Sequence, residues 1–246
     1  MVKKTTMRIV IGLLLAGSVS VWGAVQNTKH DLSAIAWDGA GDVTEDNGEL
    51  CVYCHTPHAA NTAFTGAPIW NKATPSGTFT LYGTTVAGTT AGNAGSLNAP
   101  SMACLSCHDG ASAVNSVVNA PGSGLGDGFI GTSAVDITNA VLSTSTATNI
   151  GTDLTNDHPV SIEYAYNADP TINPAGLKAK DTTLTGWTGA GTIQDLLRTT
   201  GGVDYVECGS CHDPHDGADT SASATEVAFL RISNAGSALC MGCHDK

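Results

Sequence analysis

The sequence predicts a mostly irregular chain with short α-helices and little β-structure, folded around large apolar groups that the amino acids themselves do not supply. Two observations lead to this fold class. Aromatic residues make up only 5% of the 246 residues, while Gly, Ser, Thr and Ala dominate long stretches. A chain so poor in large apolar side chains has difficulty burying a conventional core. The second observation is a short cysteine motif that occurs four times.

The motif is C-x-x-C-H, which begins the stretch CVYCHTPH and returns as CLSCH, CGSCH and CMGCH. This is the attachment pattern of a c-type haem. The two thiols form thioethers to the haem vinyl groups, and the adjoining histidine becomes an axial ligand of the iron. A zinc ribbon or a set of disulfides would not need a histidine after each cysteine pair.

The four copies use all eight cysteines of the chain, so the sequence predicts four covalently attached haem c groups and no other cysteine chemistry. The porphyrins would supply the apolar surface that the side chains lack. The predicted fold is therefore a multihaem cytochrome c, in which coil and short α-helices wrap around four c-type haems. The predicted attachment residues are Cys51, Cys54, Cys104, Cys107, Cys208, Cys211, Cys240 and Cys243. The motif histidines are His55, His108, His212 and His244.

Four further histidines match the number of second axial ligands that four irons need. They are His30, His58, His158 and His215. Imidazole is a common haem ligand, so we expect each iron to have two histidines. Such ligation leaves no open position on the iron for a substrate. The count therefore predicts an electron carrier with no catalytic residues rather than an enzyme.

The stretch C-x-x-C-H-x-P-H occurs twice and restricts how the histidines are shared. His58 follows His55 by three residues, a step that can hardly carry the chain around a haem edge. We expect His58 to serve a different haem from His55, and His215 to do the same in the second half. The order of motifs suggests that His30 and His58 complete the first pair of haems, and that His158 and His215 complete the second.

The N-terminus has the pattern of a secretory signal peptide, with a basic start, an apolar run and small residues. The run is shorter than the roughly 20 residues of a membrane span, so we expect cleavage and no stable membrane anchor, with a retained anchor as the alternative. Four regions follow: 1–23, signal peptide; 24–110, first dihaem unit with an N-terminal arm; 111–157, Gly/Ser/Thr-rich haem-free loop or linker; 158–246, second dihaem unit.

The net charge of −12 comes from 22 acidic and 10 basic residues, and loss of the three basic residues in the leader would bring it near −15. This charge argues against nucleic acid as a partner. It suits cationic partners, metal ions or oxide surfaces. Haem c is attached outside the bacterial cytoplasm, so we expect an extracellular or cell-surface protein, with the periplasm as the alternative.

Seven stretches resemble multihaem c-type cytochromes of dissimilatory metal-reducing bacteria. They are KHDLS, CVYCHTPHA, PIWNKAT, CLSCHDG, NDHPVS, CGSCHDPHDG and LRISNAGSALCMGCH. Some tetrahaem members polymerise into extracellular filaments, or nanowires. The resemblance thus implies copies of the chain and other redox cytochromes as partners, with extracellular metal oxides or electrodes as acceptors. A monomeric periplasmic shuttle, a membrane-anchored quinol-oxidising cytochrome and a multihaem reductase remain alternatives.

His30 lies close to the expected mature N-terminus. A terminal arm is seldom held by its own domain, so we expect His30 to complete a haem of the adjacent subunit. A head-to-tail contact of this kind that does not close into a ring produces an open filament. Ligation within its own chain is the alternative.

Overall fold

The computed structural model describes the following residues: 25–26, 28, 30–32, 50–67, 69–75, 77–82, 96–114, 117–119, 137–138, 141–142, 144, 147–166, 176–216 and 229–245. The predicted signal peptide lies outside them. The described residues contain four short helices and five short strands joined by turns and irregular segments. No helix among them is long and apolar enough to cross a membrane.

Helix α1 (Ala99–His108) is ten residues long and carries the second motif at its C-terminal end. Pro100 lies in its first turn, where a backbone N–H has no helical partner and proline therefore costs little. Gly110 follows the helix with φ of 67°. This left-handed conformation favours glycine because a Cβ atom would clash with the backbone. The buried residues of α1 are mostly small: Ser101, Ala103, Leu105 and Ser106.

The other helices are single turns or little more. They are α2 (Ile193–Leu196), α3 (Cys208–Cys211) and α4 (Ala238–Cys243), the last preceded by a 3₁₀ turn (Ala235–Ser237). Helices α3 and α4 contain the cysteines of the third and fourth motifs, and each motif histidine follows its helix directly. Helices this short are not stable alone, so contacts with other segments must hold the motifs in shape.

Two small antiparallel sheets complete the elements. Strand β1 (Ile137–Thr138) pairs with β2 (Val141–Leu142). In the second sheet, β5 (Val203–Val206) lies between β3 (Ile162–Glu163) and β4 (Arg198–Thr200). Gly201 and Gly202 join β4 to β5 with φ values of 59° and 84°, which is the backbone of a tight two-residue hairpin. The chain leaves β5 and enters α3 one residue later, so this sheet positions the third motif.

The core is divided into small clusters. One contains Tyr82, Leu105 and Leu154, and another contains Tyr164, Ile193 and Leu197. Each cluster has few large side chains, as the low aromatic content leads one to expect. Side chains alone thus bury little apolar surface in the described residues.

Part of the segment expected to be a loop or linker packs on the first unit. The Thr80 N–H donates to the Thr152 carbonyl at 2.8 Å, and the Leu154 N–H donates to the Thr80 carbonyl at 3.0 Å. The Asn119 N–H also donates to Asn71 Oδ1 at 2.9 Å. Residues 117–119 and 152–154 are therefore held against the segment that follows the first motif.

Candidate haem-attachment sites

All four motifs fold as a helical turn. In the first, third and fourth, the histidine N–H donates to the carbonyl of the first cysteine four residues earlier. The distances are 2.8 Å for His55 to Cys51, 3.0 Å for His212 to Cys208 and 2.9 Å for His244 to Cys240. The second motif is the last turn of α1. Residues i and i+3 of a helix share a face, so the two cysteines of each motif lie on the same side.

A short segment from elsewhere in the chain pairs with the histidine of three motifs. The bridged pairs are Trp70 with His55, Leu230 with His212, and Leu177 with His244. In each case the next residue donates its backbone N–H to the carbonyl of the second cysteine. These bonds are Asn71 to Cys54 at 2.8 Å, Arg231 to Cys211 at 2.9 Å and Lys178 to Cys243 at 2.8 Å. We call the segments 69–71, 229–231 and 176–178 clasps.

The last residue of each clasp also bonds its motif through the side chain. Asn71 Nδ2 donates to the Val52 carbonyl at 2.6 Å, Arg231 Nε to the Gly209 carbonyl at 2.9 Å, and Lys178 Nζ to the Met241 carbonyl at 2.5 Å. The acceptor is always the carbonyl of the residue that follows the first cysteine. A carbonyl at the start of a one-turn helix thus gains a donor from outside the turn.

Each clasp begins with a residue in the left-handed region. The φ values are 47° for Ile69, 62° for Gly176 and 64° for Phe229. Such a conformation is strained for a β-branched residue such as Ile69, so the surrounding contacts must fix it. Sequence reasoning missed the clasps because they lie at different distances from their motifs, and one precedes its motif. The only sequence signal is a large apolar residue followed by a side-chain donor: WN, LR and LK.

Three pairs of histidine rings lie at a separation that suits one metal ion between them. The ring centroids are 6.1 Å apart for His55 and His215, 6.2 Å for His30 and His108, and 6.4 Å for His158 and His244. Two imidazoles on opposite sides of one iron, with metal–nitrogen bonds of about 2 Å, have ring centres about 6 Å apart. Each pair joins one motif histidine to one of the four others.

These pairs differ from the sequence-based expectation in two ways. His215 was assigned to the second half, but it lies beside His55 of the first. His30 was expected to reach a neighbouring subunit, but it lies beside His108 of its own chain. The position of His30 has a local cause, since its ring stacks on Phe229 at 4.2 Å. Its Nδ1 also lies 3.5 Å from the Pro214 carbonyl.

His58 and His212 are the two histidines outside these three pairs. The His58 side chain is exposed, and its ring makes no hydrogen bond or ring contact with the described residues. Its backbone is nevertheless held in place. The His58 carbonyl accepts hydrogen bonds from Thr56 Oγ1 at 3.0 Å and from Asn119 Nδ2 at 3.2 Å. The chain therefore fixes the position from which the His58 ring extends.

Burial favours the neutral form of three of the paired histidines. It lowers the pKa of His30 to about 4, and the nearby His108 adds to this effect. Burial also lowers the pKa of His108. The pKa of His158 is lowered by burial and, less strongly, by His244. Imidazole binds metals in its neutral form, so these three side chains are in the ligand form at neutral pH.

The eight cysteines are all free thiols. Burial raises the pKa of Cys54 to about 12 and that of Cys211 to about 11. Thiols of successive motifs are close enough to influence one another's pKa. The neighbouring pairs are Cys54 and Cys107, Cys104 and Cys208, and Cys211 and Cys243. The second pair is joined by a hydrogen bond. The attachment edges of the motifs therefore follow one another in sequence order.

Residues 201–246, which contain the third and fourth motifs, match the family model of the doubled CXXCH motif. The match points to a multihaem c-type cytochrome. The first and second motifs of the chain have the same residue pattern but lie outside the matched region. No curated protein matches the chain.

The residues of the four motifs fit covalently bound haem. Each motif offers two free thiols on one face of a helical turn. Three motif histidines each have a second imidazole at the distance that a shared iron requires. By contrast, no group of three or more His, Cys, Asp or Glu side chains in the described residues is arranged to hold a metal ion. A four-ligand zinc site is therefore not formed there.

Proposed function

We propose that the protein carries electrons along four bis-histidine c-type haems, and that copies of it assemble head to tail into an extracellular filament. The three histidine pairs with centroids 6.1 to 6.4 Å apart carry this proposal. Bound haem supplies a one-electron carrier, while the chain sets spacing, ligation and surroundings. Two histidines per iron leave no position for a substrate, which favours an electron carrier over an enzyme.

The thiol contacts support a continuous path. Cys54 is near Cys107, Cys104 is hydrogen-bonded to Cys208, and Cys211 is near Cys243. Haems attached at these cysteines would have neighbouring edges in the order of the motifs. Electron transfer depends on such short separations, so an electron entering at one end of the row would pass through all four groups.

The fourth haem needs His212 and one further histidine, and the count leaves His58. With an iron held between His55 and His215, these two residues would lie on different sides of the first haem, because His58 is three residues from His55 and His212 is three residues from His215. We therefore place His58 on the third-motif haem of a neighbouring copy, the role first expected of His30.

The surface around His58 suits contact with another copy. Ile69 and Val118 are large apolar residues that are 51% and 48% exposed. Both lie beside the His58 segment, because the Ile69 carbonyl accepts from the Thr56 N–H at 2.9 Å and Asn119 bonds the His58 carbonyl. A ligand donated across an interface is a heterologous contact, and without ring closure it extends into a filament.

The resemblance stated above favours the same assembly. In haem number and size the chain most resembles outer-surface cytochrome E, whose subunits form extracellular filaments. We propose other redox cytochromes as donors and extracellular metal oxides or electrodes as final acceptors. The second candidate function is a monomeric periplasmic shuttle. A membrane-anchored quinol-oxidising cytochrome and a multihaem reductase rank below it.

The haem content is tested by the intact mass of the denatured protein. We expect the mass of the mature chain plus four haems, all resistant to extraction. A mass with fewer haems would overturn the four-haem proposal. Electron microscopy of material sheared from cells then tests assembly, because a filament subunit gives fibres and a shuttle gives only small particles.

The variant His58→Ala tests the contact between subunits. We expect a folded chain with four attached haems, one high-spin ferric haem and no filaments. The exposed control Thr155→Ala should assemble normally. Filaments of normal length from His58→Ala would show that this histidine does not join the subunits. Monomeric wild-type protein with four low-spin haems would place His58 within its own chain.

A further inference from the structure

Lys72 is a buried cation in the first unit. Its side chain is 1% exposed, and Nζ donates to the carbonyls of Val114 and Ala113, the latter at 3.3 Å. The salt bridges of the described residues involve other cations, namely Lys180, His215 and Arg231. A buried ammonium with carbonyl partners alone is costly relative to a neutral side chain.

The charge of Lys72 acts on the first motif. Lys72 directly follows Asn71, the clasp residue that bonds Cys54 and Val52. Burial raises the pKa of the Cys54 thiol, and Lys72 opposes this rise. The ammonium is therefore within electrostatic range of a sulfur that attaches the first haem.

Glu207 is a buried anion between the second and third motifs. It is 1% exposed. Its carboxylate accepts from Asn98 Nδ2 at 2.8 Å, from Ser161 Oγ at 3.0 Å and from Ser101 Oγ. All three donors are neutral, so they satisfy the oxygens without cancelling the charge. Arg198 is near enough for Glu207 to raise its pKa, but its guanidinium bonds the carbonyls of Asp195 and Leu197.

The Glu207 network joins the attachment sites of two haems. Glu207 directly precedes Cys208, and Ser101 Oγ accepts a hydrogen bond from the Cys208 N–H at 3.1 Å. Ser101 is in α1, three residues before Cys104. Cys104 and Cys208 are hydrogen-bonded to each other. One buried negative charge therefore lies beside the neighbouring edges of the second and third haem sites.

We propose that Lys72 and Glu207 set the order of reduction potentials along the haem row, Lys72 raising that of the first haem and Glu207 lowering those of the second and third. The proposal rests on haem attachment at these motifs. Reduction removes one positive charge from the iron. A buried cation therefore favours the reduced form and a buried anion the oxidised form, with little screening by water. Electrons in a partly reduced chain would collect at the first haem, near the proposed subunit contact at His58.

The test is a potentiometric titration of the complete four-haem protein, followed by optical and EPR spectroscopy. The first-motif pair has ring planes 24° apart, whereas the second- and fourth-motif pairs are at 67° and 66°. Nearly parallel imidazoles give a rhombic low-spin ferric signal and nearly perpendicular ones a strongly anisotropic signal. The rhombic signal of the first haem can therefore be followed separately from the anisotropic signal of the second and fourth.

We expect Lys72→Met to move the first haem to lower potential and Glu207→Gln to move part of the anisotropic signal to higher potential. Lys180→Met and Glu163→Gln are matched controls, because Lys180 is 37% exposed and Glu163 lies on the surface. Shifts no larger than those of the controls, or of the opposite sign, would overturn the proposal. If Lys72→Met does not assemble, Lys72→Gln removes the charge and keeps a donor for the two carbonyls.

Two charge-conserving variants separate electrostatics from packing. Lys72→Arg and Glu207→Asp disturb the local hydrogen bonds but keep the charge. They should therefore lower the free energy of unfolding and leave the reduction potentials close to those of the wild type. Haem content and the low-spin spectrum are checked in every variant. A wild-type protein that carries fewer than four haems would contradict the proposed function. Charge-removing variants that keep four low-spin haems and wild-type reduction potentials would contradict only this inference.

Discussion

At the residue scale, the orientation of the paired imidazoles differs between motifs. His55 and His215 are tilted by 24°, whereas His30 and His108 are at 67°. The rings of Trp70 and His55 meet in a T-shaped arrangement, with centroids 5.4 Å apart at 83°. Packing of this kind restricts ring rotation, so each pair should keep its own geometry when iron is bound.

The first prediction follows from these angles. Frozen-solution EPR of the oxidised protein should contain both a rhombic and a strongly anisotropic low-spin signal. The variant His215→Ala should remove the rhombic contribution of the first-motif haem and leave the anisotropic component. A spectrum with a single low-spin class would contradict the described ring geometry.

A second prediction at this scale concerns His30. Because His30 meets His108 within its own chain, His30→Ala should open the second-motif haem even in dilute monomers. We expect one more high-spin haem than in dilute wild-type monomers, which lack only the His58 of a neighbour, and additional carbon monoxide binding by the reduced protein. Equal high-spin content in dilute monomers of the variant and the wild type would contradict ligation by His30 within its own chain.

At the element scale, the clasps hold motif turns that are too short to be stable alone. Each clasp supplies a backbone donor to the second cysteine and a side-chain donor to the residue after the first. The second motif has no such clasp among the described residues and instead ends the ten-residue helix α1. A longer helix and a clasp are thus two ways of fixing the same turn.

The clasp of the first motif gives a prediction for Asn71, which is 0% exposed. Its amide donates to the carbonyls of Val52 and Asn119, at 2.6 and 2.9 Å. Asn71→Ala would leave these part-buried carbonyls without their donor, at up to about 1–3 kcal/mol each. We expect the free energy of unfolding to fall by about 2–4 kcal/mol, measured by denaturant titration. Thr155→Ala should change it by no more than about 0.5 kcal/mol.

At the scale of the whole molecule, long-range contacts interleave the two halves of the chain. His215 of the second half lies beside His55 of the first, and Glu207 bonds Asn98 and Ser101 of the first half. The order of thiol contacts places the second motif between the first and the third. Loss of the second haem should therefore interrupt the path rather than shorten it.

The double variant Cys104→Ser with Cys107→Ser tests this path. The intact mass should correspond to one haem fewer, and electron transport through dried films should fall by more than the one quarter expected from haem number alone. Cys240→Ser with Cys243→Ser removes the haem at the end of the row and is the control, with both variants measured in films of monomers. Equal losses in these films would contradict the proposed order.

The amino-acid sequence is sufficient to identify what one helical turn contains. The spacing of C-x-x-C-H identifies the attachment cysteines and motif histidines because these residues meet through local geometry, and the low aromatic content predicts small cores such as that of Tyr82, Leu105 and Leu154. Which distant histidine meets a motif is set by long-range packing, and three such pairs are seen, among them His215 beside His55 of the first unit. The clasps, Lys72 and Glu207 also emerged only from the tertiary structure, because their partners lie at irregular distances along the chain and burial of a charge depends on segments that fold over it.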